Sequence, residues 1–301
     1  MTTLTVVIPA TDGPTTLEWA VCAIRSAINP PEELIVVEHP PHAGPAAARN
    51  QGAREARGDV LVFVDADVEV HPDAFRRIRD AFRDNSLVAV FGSYDDAPEG
   101  GGLVSDFRNL LHHHVHHGGA GAATTFWAGL GAVRRDTFLG IGGFDEERFP
   151  YPSVEDIELG MRLHASGAPM RLDPAIQGKH LKEWKLGTML KTDLLQRGVP
   201  WLRLVVENGS GSSALNLGWK HRLGTGASLV LFLGLARRNV RLSALMLAVL
   251  ILLDRPFYLL LARRGGARLV AAGFPLYLAH RLTSAAAVPI ALTGHFFRRR
   301  T

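Results

Sequence analysis

Val60-Leu61-Val62-Phe63-Val64-Asp65-Ala66-Asp67 is a run of five apolar residues that ends on two carboxylates separated by one alanine. A short, β-branched, apolar run closed by polar residues reads as a strand. Working outward, Leu4 to Pro9 is a similar run stopped by proline, and Leu17 to Ile28 places apolar residues at helical spacing behind Thr15 and Thr16 as possible caps. Glu33 to Glu38 reads as a second strand and Ala46 to Ala56 as a helix rich in Ala and Arg. Beyond the opening stretch come a helix at Asp73 to Phe82, a strand at Leu87 to Phe91, and a Gly, Asp and Pro-rich loop at Gly92 to Gly102. Strands alternating with helices predict an α/β domain with a mostly parallel sheet.

The two carboxylates then fall at the C-terminal end of a strand, where open α/β sheets bind ligands. An Asp-x-Asp there suits Mg²⁺ or Mn²⁺, hard cations that take oxygen ligands and share their shell with substrate phosphates. Many such pairs are only turn residues. The preceding segment, Gly44-Pro45-Ala46-Ala47-Ala48-Arg49-Asn50-Gln51-Gly52, opens a helix with backbone donors and offers Arg49 as a phosphate partner. Read blandly, it is an Ala-rich helix with a solvated arginine. Glu155 and Asp156 have a bland reading too, as acidic residues complementing a helix dipole behind a Ser153 cap.

Taken together, Gly44 to Gly52 and Phe63-Val64-Asp65-Ala66-Asp67 resemble the nucleotide-sugar half of family 2 glycosyltransferases. Phe126-Trp127-Ala128-Gly129, Gly142-Gly143-Phe144-Asp145-Glu146 and Ser153-Val154-Glu155-Asp156 resemble the acceptor half, so the likeness runs from about residue 4 to 205. The resemblance implies a GT-A fold and an inverting transfer from a nucleotide diphosphate sugar. It makes Asp156 the general base, Asp67 and His180 ligands of Mn²⁺ or Mg²⁺, and Pro9, Glu38, Arg49, Asp65 and Ala66 the nucleotide-sugar contacts. Trp127, Gly129, Glu155, Lys182 and Trp184 would form the acceptor and sugar pocket. Two departures stand out. His39-Pro40-Pro41-His42 replaces the usual Asp-Asp-Gly-Ser after Glu38, leaving the base open, and Lys179 to Trp184 lacks the Gln-x-x-Arg-Trp spelling of polymer synthases. Nucleotidyl transfer and a membrane-tethered, non-catalytic sugar-nucleotide binding protein are the alternatives.

The net charge of +4 hides an asymmetry: residues 219 to 301 hold thirteen Lys and Arg against Asp254 alone, leaving the first 218 residues acidic. An acidic front and a basic, apolar back argue against nucleic acid and for an anionic membrane. Ala227 to Ala236, Leu242 to Leu253 and Leu269 to Ala279 are strongly apolar. The expected organisation is a catalytic domain over 1–210 and a membrane-associated helical tail over 211–301, with two or three hydrophobic segments and the boundary between Asn208 and Trp219. Leu242 to Ala262 and Leu269 to Phe297 are the stretches long enough to span. Pro200 and Trp201 read as a turn skirting the membrane. The tail points to a lipid-linked acceptor, and the start of the chain, which lacks a basic leader, to a catalytic domain on the cytoplasmic side of the membrane. Cys22, the sole cysteine, excludes an intrachain disulfide and is expected in the core. His112 to His117, five imidazoles around Val115, suggests a structural or acceptor-side role ahead of a metal site.

Overall fold

The computed structural model describes residues 2–99, 101–208 and 218–298. β1 (Leu4–Pro9), α1 (Leu17–Ser26), β2 (Glu33–Val37), α2 (Pro45–Glu55) and β3 (Val60–Val64) follow the expected alternation. β1 lies between β2 and β3, parallel to both, so Pro9, Val37 and Val64 end at the same edge of the sheet. All five β3 residues are buried, which is why the run carries no alternation of polar residues. In α2, Gly44 adopts φ 82° and Pro45 supplies the pre-set φ of the first helical turn. A Cβ at Gly44 would stand 2.3 Å from the carbonyl oxygen of Pro150, so the close approach of the 150 loop also requires glycine. Cys22 is exposed rather than in the core. The buried face of α1 passes through Ala20 and Ile24, and position 22 points away from it.

After β3 the parallel pattern ends. β4 (Val68–Val70) begins only four residues on, too few for the crossover that a parallel neighbour needs. The later elements are α3 (Ala74–Ala81), β5 (Ala89–Tyr94), α4 (Gly102–Gly118), β6 (Gly121–Ala122), β7 (Leu130–Arg134), α5 (Arg135–Gly140), α6 (Glu155–Ala165) and β8 (Met170–His180). Strand order is β2-β1-β3-β7-β5-β8-β4, with β6 on β8. β7 is antiparallel to β3 and β5, and β8 is antiparallel to β4 and β6 but parallel to β5. The sheet is therefore mixed, correcting the mostly parallel expectation. Ile8, Val62, Val64, Phe75, Ile78 and Val90 form part of a buried cluster, and Phe63, Phe138 and Phe144 meet in another, with ring centroids 5.2–5.3 Å apart.

The remaining helices are α7 (Leu186–Lys191), a π-helical turn (Thr192–Gly198), α8 (Val199–Asn208), α9 (Trp219–Ala236), α10 (Val240–Leu253) and α11 (Arg255–Arg298), the last broken at Gly266. The expected Pro-Trp turn is instead the first turn of α8, a position where proline costs no hydrogen bond, and Trp201 is half-buried. Two compact units emerge: Met1–Glu99 with His116–Lys182, and Gly100–Val115 with Glu183–Thr301. The stretch holding the expected boundary between 1–210 and 211–301, residues 209–217, lies outside the described residues. Phe107, Leu110, Leu111, Trp184, Phe257 and Leu261 share one core in the second unit, which joins α4 to the C-terminal helices.

The expected Leu242–Ala262 span is not one straight helix. α10 ends at Leu253, α11 starts at Arg255, and the two are bent by 74°. No single described helix is long and apolar enough to cross a membrane. Asp254, at the bend between the two helices, is buried with Arg281, 2.8 Å apart. His280 is likewise buried, its Nδ1 2.8 Å from Asp193, which Arg108 also meets at 2.7 Å. The ionisable residues His280 and Arg281 of the Leu269–Phe297 stretch thus point inward to partners.

Candidate active site

β3 delivers Asp65, whose backbone N–H donates to the Gly129 carbonyl at 3.1 Å. The carbonyl of Asp65 accepts from Val68, so Asp65-Ala66-Asp67 is the turn into β4. Thr16, expected as a helix cap, makes no cap hydrogen bond; its hydroxyl donates to the Ala66 carbonyl at 2.8 Å. Pairing of Val68 with His180, and the hydrogen bond from Leu181 N–H to the Asp67 carbonyl at 2.8 Å, set the end of β8 beside the turn. His180 Nε2 consequently lies 3.5 Å from Asp67 Oδ2. Burial disfavours the Asp67 anion, but the His180 hydrogen bond and the charges of His180 and Lys182 outweigh it and hold its pKa below the ordinary value. Burial raises Asp65, with the Asp67 charge adding to it and Arg49 opposing it.

Arg49 is buried, and both ends of its guanidinium are engaged. Nη2 meets Asp65 at 2.7 Å and Nη1 meets Glu155 at 2.9 Å, while Phe144 lies beneath the plane with its centroid 5.5 Å from Cζ. Burial opposes the charge, yet Asp65, Glu155 and Asp156 together keep the guanidinium firmly protonated. Arg49 is thus a clip between the Asp-x-Asp turn and the start of α6, bound to carboxylates in place of the solvent of the bland reading. Glu155 is buried; its other oxygen accepts from Ser153 N–H at 2.9 Å. Val154 occupies the cap position of α6, with no side-chain cap.

Asp156, next along, presents Oδ2 to the Ala128 N–H at 3.2 Å and Oδ1 to the Ile157 N–H at 2.8 Å. Burial first, and the neighbouring Glu155 anion second, push its pKa up to about 7, with Arg49 and the two backbone donors pulling weakly the other way. A carboxyl poised there accepts a proton near neutrality, which suits a general base.

The other expected residues divide. Pro9 and Glu38 sit at the ends of β1 and β2, on the edge where Asp65 ends β3, and Glu38 is exposed. A Cβ at Gly129 would lie 2.4 Å from the Trp127 ring, so glycine lets the indole fold back over the chain. Lys182 is exposed and its charge reaches Asp67. Trp184 belongs to the second unit, where it is buried with Arg108 5.5 Å from its ring and its backbone N–H donates to the Ser105 hydroxyl.

Two contributors were not foreseen. Asn50, inside the quoted Ala-Arg-Asn-Gln-Gly, donates to the Phe144 carbonyl at 2.8 Å and accepts from Phe144 N–H at 2.9 Å, tying the Gly-Gly-Phe-Asp-Glu loop to α2. A Cβ on Gly143 would meet its Oδ1 at 2.5 Å. A buried, helix-borne asparagine beside Arg49 was the available signal. Tyr94, at the end of β5, carried no sequence signal. His116 Nδ1 is 2.9 Å from the Gly92 carbonyl and His114 packs on Phe257 at 5.2 Å, so these two histidines of the run are packing groups. Among the described residues no group of three or more potential ligands is assembled for a metal. Asp67 and His180 are two potential ligands brought together at the turn, and a cation there would draw its remaining ligands from phosphate and water.

The mixed α/β sheet is GT-A-like in fold. The mannosyltransferase PcManGT from Pyrobaculum calidifontis, solved with GDP-Man and Mn²⁺, superposes with a TM-score of 0.61 over 97% of this chain and 87% of its own, at 16% identity. Residues 5–136 match the protein-family model Glycosyl transferase family 2. The pre-mycofactocin glycosyltransferases of two Mycobacterium tuberculosis strains are each 29% identical over 164 residues, 50% of this chain and 34% of theirs. The chain thus spans about a third of the length of those relatives. The likeness to family 2 glycosyltransferases is carried by residues 5–136, less than half of this chain.

Proposed function

We propose that this enzyme moves a sugar from a nucleotide diphosphate sugar to a hydroxyl or phosphate oxygen of a lipid-linked acceptor, with inversion and with Mn²⁺ or Mg²⁺. The observation that carries the reading is the Arg49 clip, which ties Asp65 of the metal-side turn to Glu155, the residue before the poised base Asp156. Asp67 and His180 would hold the cation. When bound, it neutralises charge developing on the departing diphosphate. Asp156 takes the proton of the acceptor hydroxyl as its oxygen forms the new bond to the anomeric carbon. The bond from that carbon to the diphosphate breaks on the opposite side, releasing nucleoside diphosphate. Pro9 and Glu38 would meet the nucleoside, and Trp127 and Lys182 the sugars.

The test follows nucleoside diphosphate release from UDP-, GDP- and dTDP-sugars by detergent-solubilised protein with lipid extract and Mn²⁺ or Mg²⁺. One donor is expected to be turned over. Asp67→Ala is expected to lose about 10²–10³-fold in rate, the several kcal/mol that a bound cation contributes to the transition state. Metal-independent release, or none from any donor, would sink the reading.

The membrane part of the proposal rests on α9 and α10. Leu229, Phe232, Leu235, Leu245, Ile251 and Leu252 are all exposed, Leu252 by 72%, and Lys220, Arg222, Arg237, Arg238 and Arg241 flank them. Such a patch with a basic border matches an anionic bilayer on the cytoplasmic side, and the free thiol of Cys22 suits that reducing compartment. Phe232→Asp with Leu252→Asp is expected to weaken cosedimentation with phosphatidylglycerol vesicles at least ~10-fold, by removing two inserted apolar groups. Unchanged sedimentation would rule this patch out.

A further inference from the structure

We propose that Tyr94 is the positioning residue for His180, holding its imidazole in the metal-binding orientation through a column of rings that begins at His116. The inference rests on the reading of Asp67 and His180 as the metal pair and concerns what makes that pair rigid.

His180 is the last residue of β8, paired with Val68 of β4, and strand pairing fixes its backbone rather than the tilt of its ring. The Asp67 contact, at 3.5 Å, is at the outer limit of a hydrogen bond and fixes the ring weakly. Tyr94 holds the ring face, stacked on it with centroids 4.2 Å apart and planes 11° from parallel. Tyr94 is in turn set at a right angle to Trp127, 5.0 Å away, and Trp127 stands at a right angle to His116, also at 5.0 Å. Both ends of the column are tied to the sheet. His116 Nδ1 bonds the Gly92 carbonyl, two residues before Tyr94 on β5, and β5 pairs with β8 through Tyr94 and Gly178. Trp127 is seated by the missing Cβ of Gly129, whose carbonyl binds Asp65 N–H.

The geometry has a chemical consequence. A ligating imidazole must keep its nitrogen aimed at a fixed point, and groups behind it typically change metal affinity about 10–100-fold when removed. A stacked ring restrains the tilt of the imidazole plane without covering its edge nitrogens. Its electron-rich face favours the positive charge that coordination places on the imidazole.

The test uses the full chain and Mn²⁺ alone, counting free Mn²⁺ by its electron paramagnetic resonance signal. His180→Gln is expected to abolish measurable binding. Tyr94→Leu is expected to weaken it about 10-fold or more, and Tyr94→Phe, which keeps the stack, to stay within about twofold of wild type. Wild-type affinity in Tyr94→Leu beside loss in His180→Gln overturns this inference and leaves the metal pair standing. No difference between wild type and His180→Gln overturns both. A measurement independent of folding of the variants is the proton spectrum of the wild-type imidazole: His180 ring protons displaced upfield by the Tyr94 ring current support the stack. Resonances at the positions of an unstacked histidine refute it.

Discussion

Asp156→Asn is expected to lower kcat about 10²–10⁴-fold, the range that a positioned proton acceptor contributes. The donor KM should change little, since the carboxylate faces the acceptor proton. The wild-type enzyme should show a rising limb in kcat against pH, with slope one and a midpoint near 7, because burial and the Glu155 anion push Asp156 up to about 7 and only the ionised form accepts a proton. A limb near 4 would mean that the pocket is wetter than its packing indicates. The same shift has a stability side. Folded Asp156 binds its proton more tightly than an unfolded aspartate of pKa 3.8, so its contribution is fully present below that value and is lost as pH rises to about 7. Asp156→Asn, which cannot ionise, should therefore gain stability relative to wild type between about pH 4 and 8, read from urea midpoints at the two ends. A variant that loses activity without gaining this relative stability would place the functional proton elsewhere.

The elements through β3 were legible because each is a local pattern: apolar runs of five or six residues, a proline at the first turn of α2, alternation of strand and helix. β4 was missed because three residues carry no period. The mixed sheet was hidden since the pairing of β7 with β3 is a long-range contact, and a strand sequence does not state its direction. Asp67 and His180 came out as neighbours because the likeness to a known family named them together. The ion pairs of Arg49 were not legible for an electrostatic reason: a cation on a helix start suits a phosphate in sequence, and Asp65 and Glu155 approach it from 16 and 106 residues away. The tail was read by hydropathy alone, which counts Asp254, His280 and Arg281 against burial, whereas each has a counter-charge within 2.8 Å in the fold. Trp184 reads as a pocket residue in sequence, but its ring is committed to the second unit's core.

Arg49→Met is expected to cost about 3–5 kcal/mol of unfolding free energy at about pH 8, measured by urea denaturation, since it leaves Asp65 and Glu155 without their counter-charge. Arg49→Lys should recover little of it: one ammonium cannot meet two carboxylates on opposite ends of a planar fork. The penalty must shrink as pH falls, because the stranded carboxyls escape it by taking up protons, and Asp65 already leans that way from burial. Arg49→Met combined with Glu155→Gln should be more stable than Arg49→Met alone, with an interaction energy that a double-mutant cycle isolates. The same substitution separates the clip from a role in donor binding. Were Arg49 to hold the nucleotide, Arg49→Met would raise the donor KM and leave the fold intact. Breaking the clip should instead lower the urea midpoint and carry the kcat limb of Asp156 to higher pH, because Arg49 is a cation that now pulls that carboxyl down. A raised KM with the urea midpoint and the pH limb both unmoved would return Arg49 to the donor side and leave the coupling between the metal turn and the base without a carrier.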